Sequence, residues 1–159
     1  MSDVPQTNSA NGAKSPEWRK IGSFVSLKKR ICQHVYAETG KKNDLALFYN
    51  EGKFYAMEAW CSHMGGPLYL GDLEDYGGSC HVMCPWHSYM FDLTTGKNEI
   101  GLRQDVFQVK VESGDVYILH AAALSLNRYE GRSYSRTDSA NMTRKDPCLA
   151  VQEPKLPEV

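Results

Sequence analysis

The sequence has no run of about eighteen apolar residues, the length a membrane-spanning helix requires, so no span is expected. It has no charged start followed by an apolar core. Met1-Ser2-Asp3-Val4-Pro5-Gln6 reads neither as a secretory signal nor as an Arg-rich presequence. It has no excess of either charge, with 18 Lys and Arg against 19 Asp and Glu and a net charge of −1. No basic stripe interleaves with aromatic residues, which argues against nucleic acid as a partner. The short runs Lys28-Lys29-Arg30 and Lys41-Lys42 read as solvated loops. There is no flavin or dinucleotide fingerprint and no facial triad for mononuclear iron, so the sequence offers no second catalytic centre. Cysteine is scarce and odd in number, at five, which fits thiols in a reducing compartment rather than a disulfide framework. The expectation is a soluble, cytoplasmic monomer.

What is present supports one core. The chain has 159 residues, 42% hydrophobic and 11% aromatic, which suffices for a single domain with tails. Residues 1–15 hold Ser, Asn, Ala and Gly with hardly a bulky apolar side chain, and read as a flexible tail. Residues 128–159 mix charges of both signs with Pro147, Pro154 and Pro157, and read as an arm or a disordered extension anchored modestly by Leu149 and Val151.

Between them, residues 16–127 read as a series of short strands. Trp18 to Gly22 is the first, with Trp18 expected to pack in the core. Ile31 to Glu38, Leu45 to Tyr49 and Phe54 to Ala59 follow, the last two joined by the hairpin loop Asn50-Glu51-Gly52-Lys53. Ser79 to Met83 is a further strand. Residues 71–78 between these read as a surface excursion. Phe107, Val109 and Val111 alternate with Gln108, Lys110 and Glu112, as one half-buried strand would. Ser113-Gly114-Asp115 turns it into Val116 to His120. Strands of this length and spacing predict an all-β, antiparallel sandwich or barrel.

The chemistry is concentrated in two stretches, Cys61-Ser62-His63-Met64-Gly65-Gly66-Pro67 and Cys84-Pro85-Trp86-His87-Ser88-Tyr89-Met90-Phe91-Asp92. Each offers one thiolate and one imidazole, and twenty residues separate His63 from Cys84. Two Cys and two His suit a tetrahedral zinc or an iron–sulfur centre, and disfavour calcium and magnesium, which take oxygen ligands. Zinc requires all four groups around one atom; a two-iron cluster spreads them over two.

The flanking residues resemble the Rieske iron–sulfur family, whose motif is Cys-x-His-x-Gly followed by Cys-Pro-x-His and an aromatic-Asp pair. Cys61, His63, Gly65, Cys84, Pro85, His87, Phe91 and Asp92 all fall on it, and the resemblance covers roughly the middle two-thirds of the chain. It implies one [2Fe-2S] cluster per chain, with Cys61 and Cys84 on one iron and His63 and His87 on the other. It also implies a Rieske-type antiparallel β-sandwich with a small inserted cluster-binding subdomain, about residues 60–93.

The function implied is one-electron transfer between redox partner proteins, a reductase and an acceptor such as an oxygenase. Two alternatives are a regulatory module that senses redox state or cluster loss, and a structural zinc interaction domain. Respiratory members of the family carry an extra Cys in each loop, joined as a disulfide; Gly66 and Trp86 occupy those positions here. Their potential-raising Ser and Tyr are matched by Tyr89 and Phe91. This implies a potential toward the lower end of the Rieske range.

Three departures stand out. The spacer is slightly long, Ser88 replaces the glycine that usually follows the second His, and Gly101-Leu102-Arg103-Gln104 stands where a proline-rich segment often covers the cluster. Ser88 puts the second loop's turn in question, because glycine tolerates positive φ and serine does not. Cys80 and His81 are decoys beside the second loop. Cys80 reads as core filler and His81 as a hydrogen-bonded residue. Cys32, Cys148, His34 and His120 read as structural. Met64, Pro67, Trp86 and Met90 are expected to form an apolar lid and docking surface.

Overall fold

The computed structural model describes residues 14–130. The expected N-terminal tail lies almost wholly outside this range. The C-terminal arm, with Cys148, Leu149 and Val151, lies outside it from residue 131 onward. The described chain forms eleven strands and one single-turn helix, Phe24–Leu27. None of its helices is long and apolar enough to cross a membrane.

Three antiparallel sheets account for the strands. β1 (Glu17–Ser23), β10 (Asp115–His120) and β9 (Val109–Glu112) form the first, in the order β1-β10-β9. The second is β11-β2-β3-β4-β8, from β2 (Cys32–Ala37), β3 (Leu45–Asn50), β4 (Lys53–Glu58), β8 (Val106–Phe107) and β11 (Leu124–Ser125). The third is β5-β6-β7, from β5 (Asp72–Tyr76), β6 (Ser79–Met83) and β7 (Met90–Asp92).

The second sheet is a wall between two cores, and β3 shows why. Leu45, Ala46, Leu47 and Phe48 are all buried, and side chains alternate across a strand, so both faces of β3 must be covered. Leu45 and Leu47 join Val35, Ala56, Val116 and Ile118 against the first sheet. Ala46 and Phe48 join Met57, Leu68, Val82 and Phe91 beneath the third. A hydrophobic run, rather than strict alternation, is the sequence signature of this double burial. Each of the larger side chains among them contributes about 1.5–3 kcal/mol on leaving water.

Strand positions follow the sequence closely, with three differences. Residues 71–78 lie mostly at the surface, as expected, but as part of a regular hairpin. Asp72–Tyr76 pairs along its whole length with Ser79–Met83, and Gly77-Gly78 closes the hairpin. The strand was hidden because its charged side chains point to solvent.

The alternation Phe107–Val111 is not one strand. It breaks at Gln108, where the chain passes from β4's edge to β10's. Phe107 and Val109 still pack on the same core, so the alternation persists through the corner. Trp18 is not core. It is 39% exposed on β1, with Lys110 Nζ lying 4.6 Å from its ring centre. A cation over an indole face stabilises an exposed ring without burying it.

His120, at the end of β10, is buried against Phe107 with its Nδ1 accepting the Ala122 N–H at 3.0 Å. Burial holds its pKa below the ordinary 6.5, and nearby Arg19 adds to the effect. The unfolded chain therefore binds this proton more readily than the folded one. Stability from His120 is full above 6.5 and falls as pH drops from there toward the depressed folded value. Denaturation midpoints compared between about pH 7 and pH 5 should fall in the wild type and fall less in His120→Asn. An equal fall in both would show that His120 carries none of the dependence.

Candidate metal centre

The two cysteine–histidine stretches form two fingers with the same backbone design. In the first, the Cys61 N–H donates to Gly66 O at 2.7 Å, and the Gly65 N–H donates back to Cys61 O at 2.7 Å. In the second, the Cys84 N–H donates to Tyr89 O at 2.8 Å, and the Ser88 N–H donates to Cys84 O at 3.0 Å. Both loops thus close on their cysteine across the same interval. The residue four places after each cysteine is left-handed, Gly65 with φ 77° and Ser88 with φ 61°. The turn that Ser88 put in question is kept, at a cost of roughly 1–2 kcal/mol for a residue with a β-carbon.

The first finger leaves β4 through Ala59 and Trp60 and is pinned at its base. Leu68 N–H donates to Ala59 O at 2.8 Å, and Trp60 bridges Pro67. The second joins β6 to β7. Asp92, the last motif residue, does not face the ligands. Its Oδ1 accepts the Thr94 and Thr95 N–H groups and its Oδ2 the Ser79 hydroxyl. Burial alone would raise its pKa, but these bonds, with nearby His81, hold the carboxyl below its ordinary range. Asp92 therefore shapes the exit of the second finger.

The fingers bring the four candidate ligands together as two pairs. Cys61 and Cys84 are both buried, at 3% and 1% exposure, and their thiols are within hydrogen-bond reach. The rings of His63 and His87 lie 4.9 Å apart, edge to face, with His63 half-buried and His87 exposed. Tyr89 packs on His63 at 4.3 Å. Burial pushes the Cys61 thiol up, the backbone N–H groups of His63 and Met64 that reach its sulfur oppose this, and Cys84 adds to the rise. A bound cation is what would stabilise the thiolate here.

The donor set passes a test for a two-iron cluster. His63 Nδ1 is buried without a hydrogen-bond partner, a costly state for a ring nitrogen unless a metal takes its lone pair. A zinc would gather all four donors around one point. Two sulfurs on one side and two rings on the other match the demand of two irons.

The surroundings follow from the same geometry. A Cβ on Gly66 would lie 2.6 Å from Cys84 Sγ and 3.2 Å from the Trp86 ring. The pair that resembles the disulfide positions is thus in contact, as glycine under indole. Pro67 is buried, whereas Met64 and Trp86 are 63% and 46% exposed, so the expected lid is partly a surface.

The decoys stay outside. Cys80 is half-buried against the core below the fingers, its pKa raised by burial and by Asp75, Glu51 and Asp92. His81 Nδ1 is 3.0 Å from Ser79 O. Cys32 Sγ donates to Gly71 O at 3.3 Å. His34 Nε2 lies 2.8 Å from Asp44 Oδ2, with its ring stacked between Tyr36 and Tyr69.

Two residues have roles at the site that the sequence reading did not assign, although it placed Gln104 in the segment standing where the cluster is often covered. Asp44 is fully buried. Its Oδ1 accepts the Ala37 N–H and its carbonyl accepts Ala59 N–H, beneath the first finger. Gln104 is also fully buried, and its Oε1 accepts the Ser62 N–H at 2.6 Å. Neither belongs to a motif, and a single polar residue in a loop carries no signal of burial.

Two substitutions test the finger geometry. Ser88→Gly should raise stability by about 0.5–1 kcal/mol, the left-handed cost less glycine's added unfolded freedom, read as a higher melting temperature. A lower one would mean that the serine side chain makes a compensating contact. Gly66→Ala should purify with much less iron, because its methyl meets Cys84 Sγ. Wild-type iron content would refute the steric argument.

Comparison with known proteins agrees with this geometry. The family model of soluble Rieske-type ferredoxins matches residues 21–100, which include both fingers. A Rieske domain-containing protein of Homo sapiens is 30% identical over 130 residues, covering 70% of this chain and 83% of that protein. A 3-phenylpropionate/cinnamic acid dioxygenase ferredoxin subunit of Photorhabdus laumondii is 37% identical over 78 residues, covering 47% of this chain and 71% of its own. A chain in the complex of reduced oxygenase and oxidized ferredoxin of carbazole 1,9a-dioxygenase superposes with a TM-score of 0.56 at 26% identity, covering 64% of this chain and 92% of that one. With two fingers, paired sulfurs and rings, and an all-β scaffold, this chain belongs to the soluble Rieske-type ferredoxins, a family of electron-transfer proteins that carry a [2Fe-2S] cluster.

Proposed function

We propose that Cys61 and Cys84 hold one iron of the cluster through sulfur, and that His63 and His87 hold the other through a ring nitrogen. The observation that carries this is the buried, unpartnered His63 Nδ1 beside a second imidazole, across from two buried thiols. When bound, a [2Fe-2S] cluster supplies a reversible store for one electron.

The chain's own residues divide the remaining work. Cys61 and Cys84 keep the sulfur end out of water. His87, exposed on the second finger, gives electrons the short route in and out, while Tyr89 shields His63. Met64 and Trp86 present apolar surface beside it, where a redox partner could desolvate the histidine edge. The partners we propose are a reductase on one side and an acceptor such as an oxygenase on the other, as the names of the dioxygenase ferredoxin relatives suggest. We place the exchange in the cytoplasm, with the chain acting as a monomer.

The potential follows from the donors to sulfur. Backbone N–H groups of His63 and Met64 reach Cys61. Phe91 is buried and has no polar atom to add. Tyr89 lays its ring on His63. Fewer donors leave the reduced, more negative state less stabilised. The midpoint should fall toward the lower end of the roughly −150 to +300 mV Rieske range, and a strongly positive value would contradict this account.

Ligand substitutions test the assignment. Cys84→Ser should lose the visible absorption and Cys80→Ser should keep it. His87→Cys, where a cluster forms, should shift the midpoint downward, since a thiolate adds negative charge. Retained absorption in Cys84→Ser with loss in Cys80→Ser would assign the wrong thiol.

A further inference from the structure

The two fingers are separate hairpin loops, so something must set one against the other. We infer that Gln104 is a positioning residue that couples them and thereby sets the electronic state of the cluster, an inference that rests on the ligand assignment above. Its side chain brackets Cys61. Oε1 accepts the Ser62 N–H at 2.6 Å, on the ligand's C-terminal side. Nε2 donates to Trp60 O at 2.8 Å, on the N-terminal side, with Glu58 O at 3.4 Å. One planar amide thus holds the peptide groups on both flanks of a single ligand, and no other uncharged side chain of this length offers an acceptor and two donors together.

The backbone of Gln104 is held in turn by the second finger's exit. Gln104 N–H donates to Gly96 O at 2.8 Å, and Gly96 N–H donates to Asp92 O at 2.8 Å. A Cβ on Gly96 would collide with the Gln104 carbonyl, so the two strands of chain touch backbone to backbone. β7 runs from the second finger into that turn. The path from the Cys84 finger through Asp92 and Gly96 to Gln104, and on to the Cys61 finger, is continuous hydrogen bonding. Gln104 itself is fully buried, so its amide has no solvent-facing alternative and the clamp is stiff.

The consequence is electronic as well as mechanical. Ser62 stands between Cys61 and His63, the two proposed ligands of the first finger. Releasing its peptide lets both ligands shift, and altered ligand geometry shifts the midpoint potential and the g-values of the reduced cluster. The Ser62 N–H and the Trp60 carbonyl would also lose their partner, and the loosened finger should speed cluster loss by about tenfold.

The test uses the cluster-loaded full chain. Gln104→Met keeps the length and removes every side-chain hydrogen bond while leaving the backbone bond to Gly96. Gln104→Glu keeps the shape and the acceptor; protonated in acid it can still donate to Trp60 O, but ionised it opposes two carbonyls. Ile118→Val loosens the other core and touches neither finger.

The structure predicts a shifted midpoint, shifted g-values and faster cluster loss in Gln104→Met. Gln104→Glu should approach wild type in acid and depart from it as pH rises, measured against wild type at each pH. Ile118→Val should keep the wild-type potential. If Gln104→Met does not fold, the pH-dependent recovery of Gln104→Glu decides. Wild-type potential and g-values in the Gln104 variants, or equal shifts in Ile118→Val, would overturn the inference alone. A wild-type chain with no [2Fe-2S] signal would overturn the ligand assignment along with it.

Discussion

Each finger is bent back on its own cysteine by two backbone hydrogen bonds, and the rest of the site depends on that bend. The bonds to Gly66 O and Tyr89 O hold the cysteine amides, and those from Gly65 and Ser88 hold the carbonyls. The loops between bring the two histidine rings together, His63 half-buried and His87 exposed. Both fingers use a left-handed residue at the closing position, once with glycine and once with serine. A serine held there is a small debt of strain. The strands β6 and β7 behind it, anchored by the fully buried Val82 and Phe91, are what hold it.

The scaffold supplies this support through β3. A strand buried on both faces cannot shift register without exposing one core or the other. Its odd-numbered residues bind the second sheet to the first, and its even-numbered residues bind it to the layer below the fingers. Asp44, immediately before β3, then ties Ala37, His34 and Ala59 to one carboxylate and one carbonyl. The base of the first finger is thus anchored to a strand buried on both faces. The proposed electron-transfer end, with exposed His87, Met64 and Trp86, lies at the surface.

Much of this was legible because it depends on residue type at fixed spacing. Cys61, His63, Cys84 and His87 announce thiolate and imidazole donors, and Gly65 and Asp92 carry the local shape. β2, β3, β4, β6 and β10 were legible from apolar runs and hairpin turns. What could not be read depends on where chains meet. β5 has charged residues facing solvent, and its strand character comes from pairing with β6. The break at Gln108 leaves the alternation intact, because both flanking strands face one core. Trp18 looks like a core residue by type, yet it has a lysine partner on an open face. Gln104 lies forty-two positions from Ser62, and only the fold makes them neighbours.

The central claim is that two imidazoles, those of His63 and His87, bind one iron of the cluster. Pulsed electron paramagnetic resonance on the reduced protein, with 15N-labelled histidine, reads this directly. The account predicts two strongly coupled histidine nitrogens, unchanged when His34, His81 or His120 is replaced, and reduced to one in His87→Cys. A single coupled nitrogen or none in the wild type, or a coupling that vanishes with His81, would contradict it.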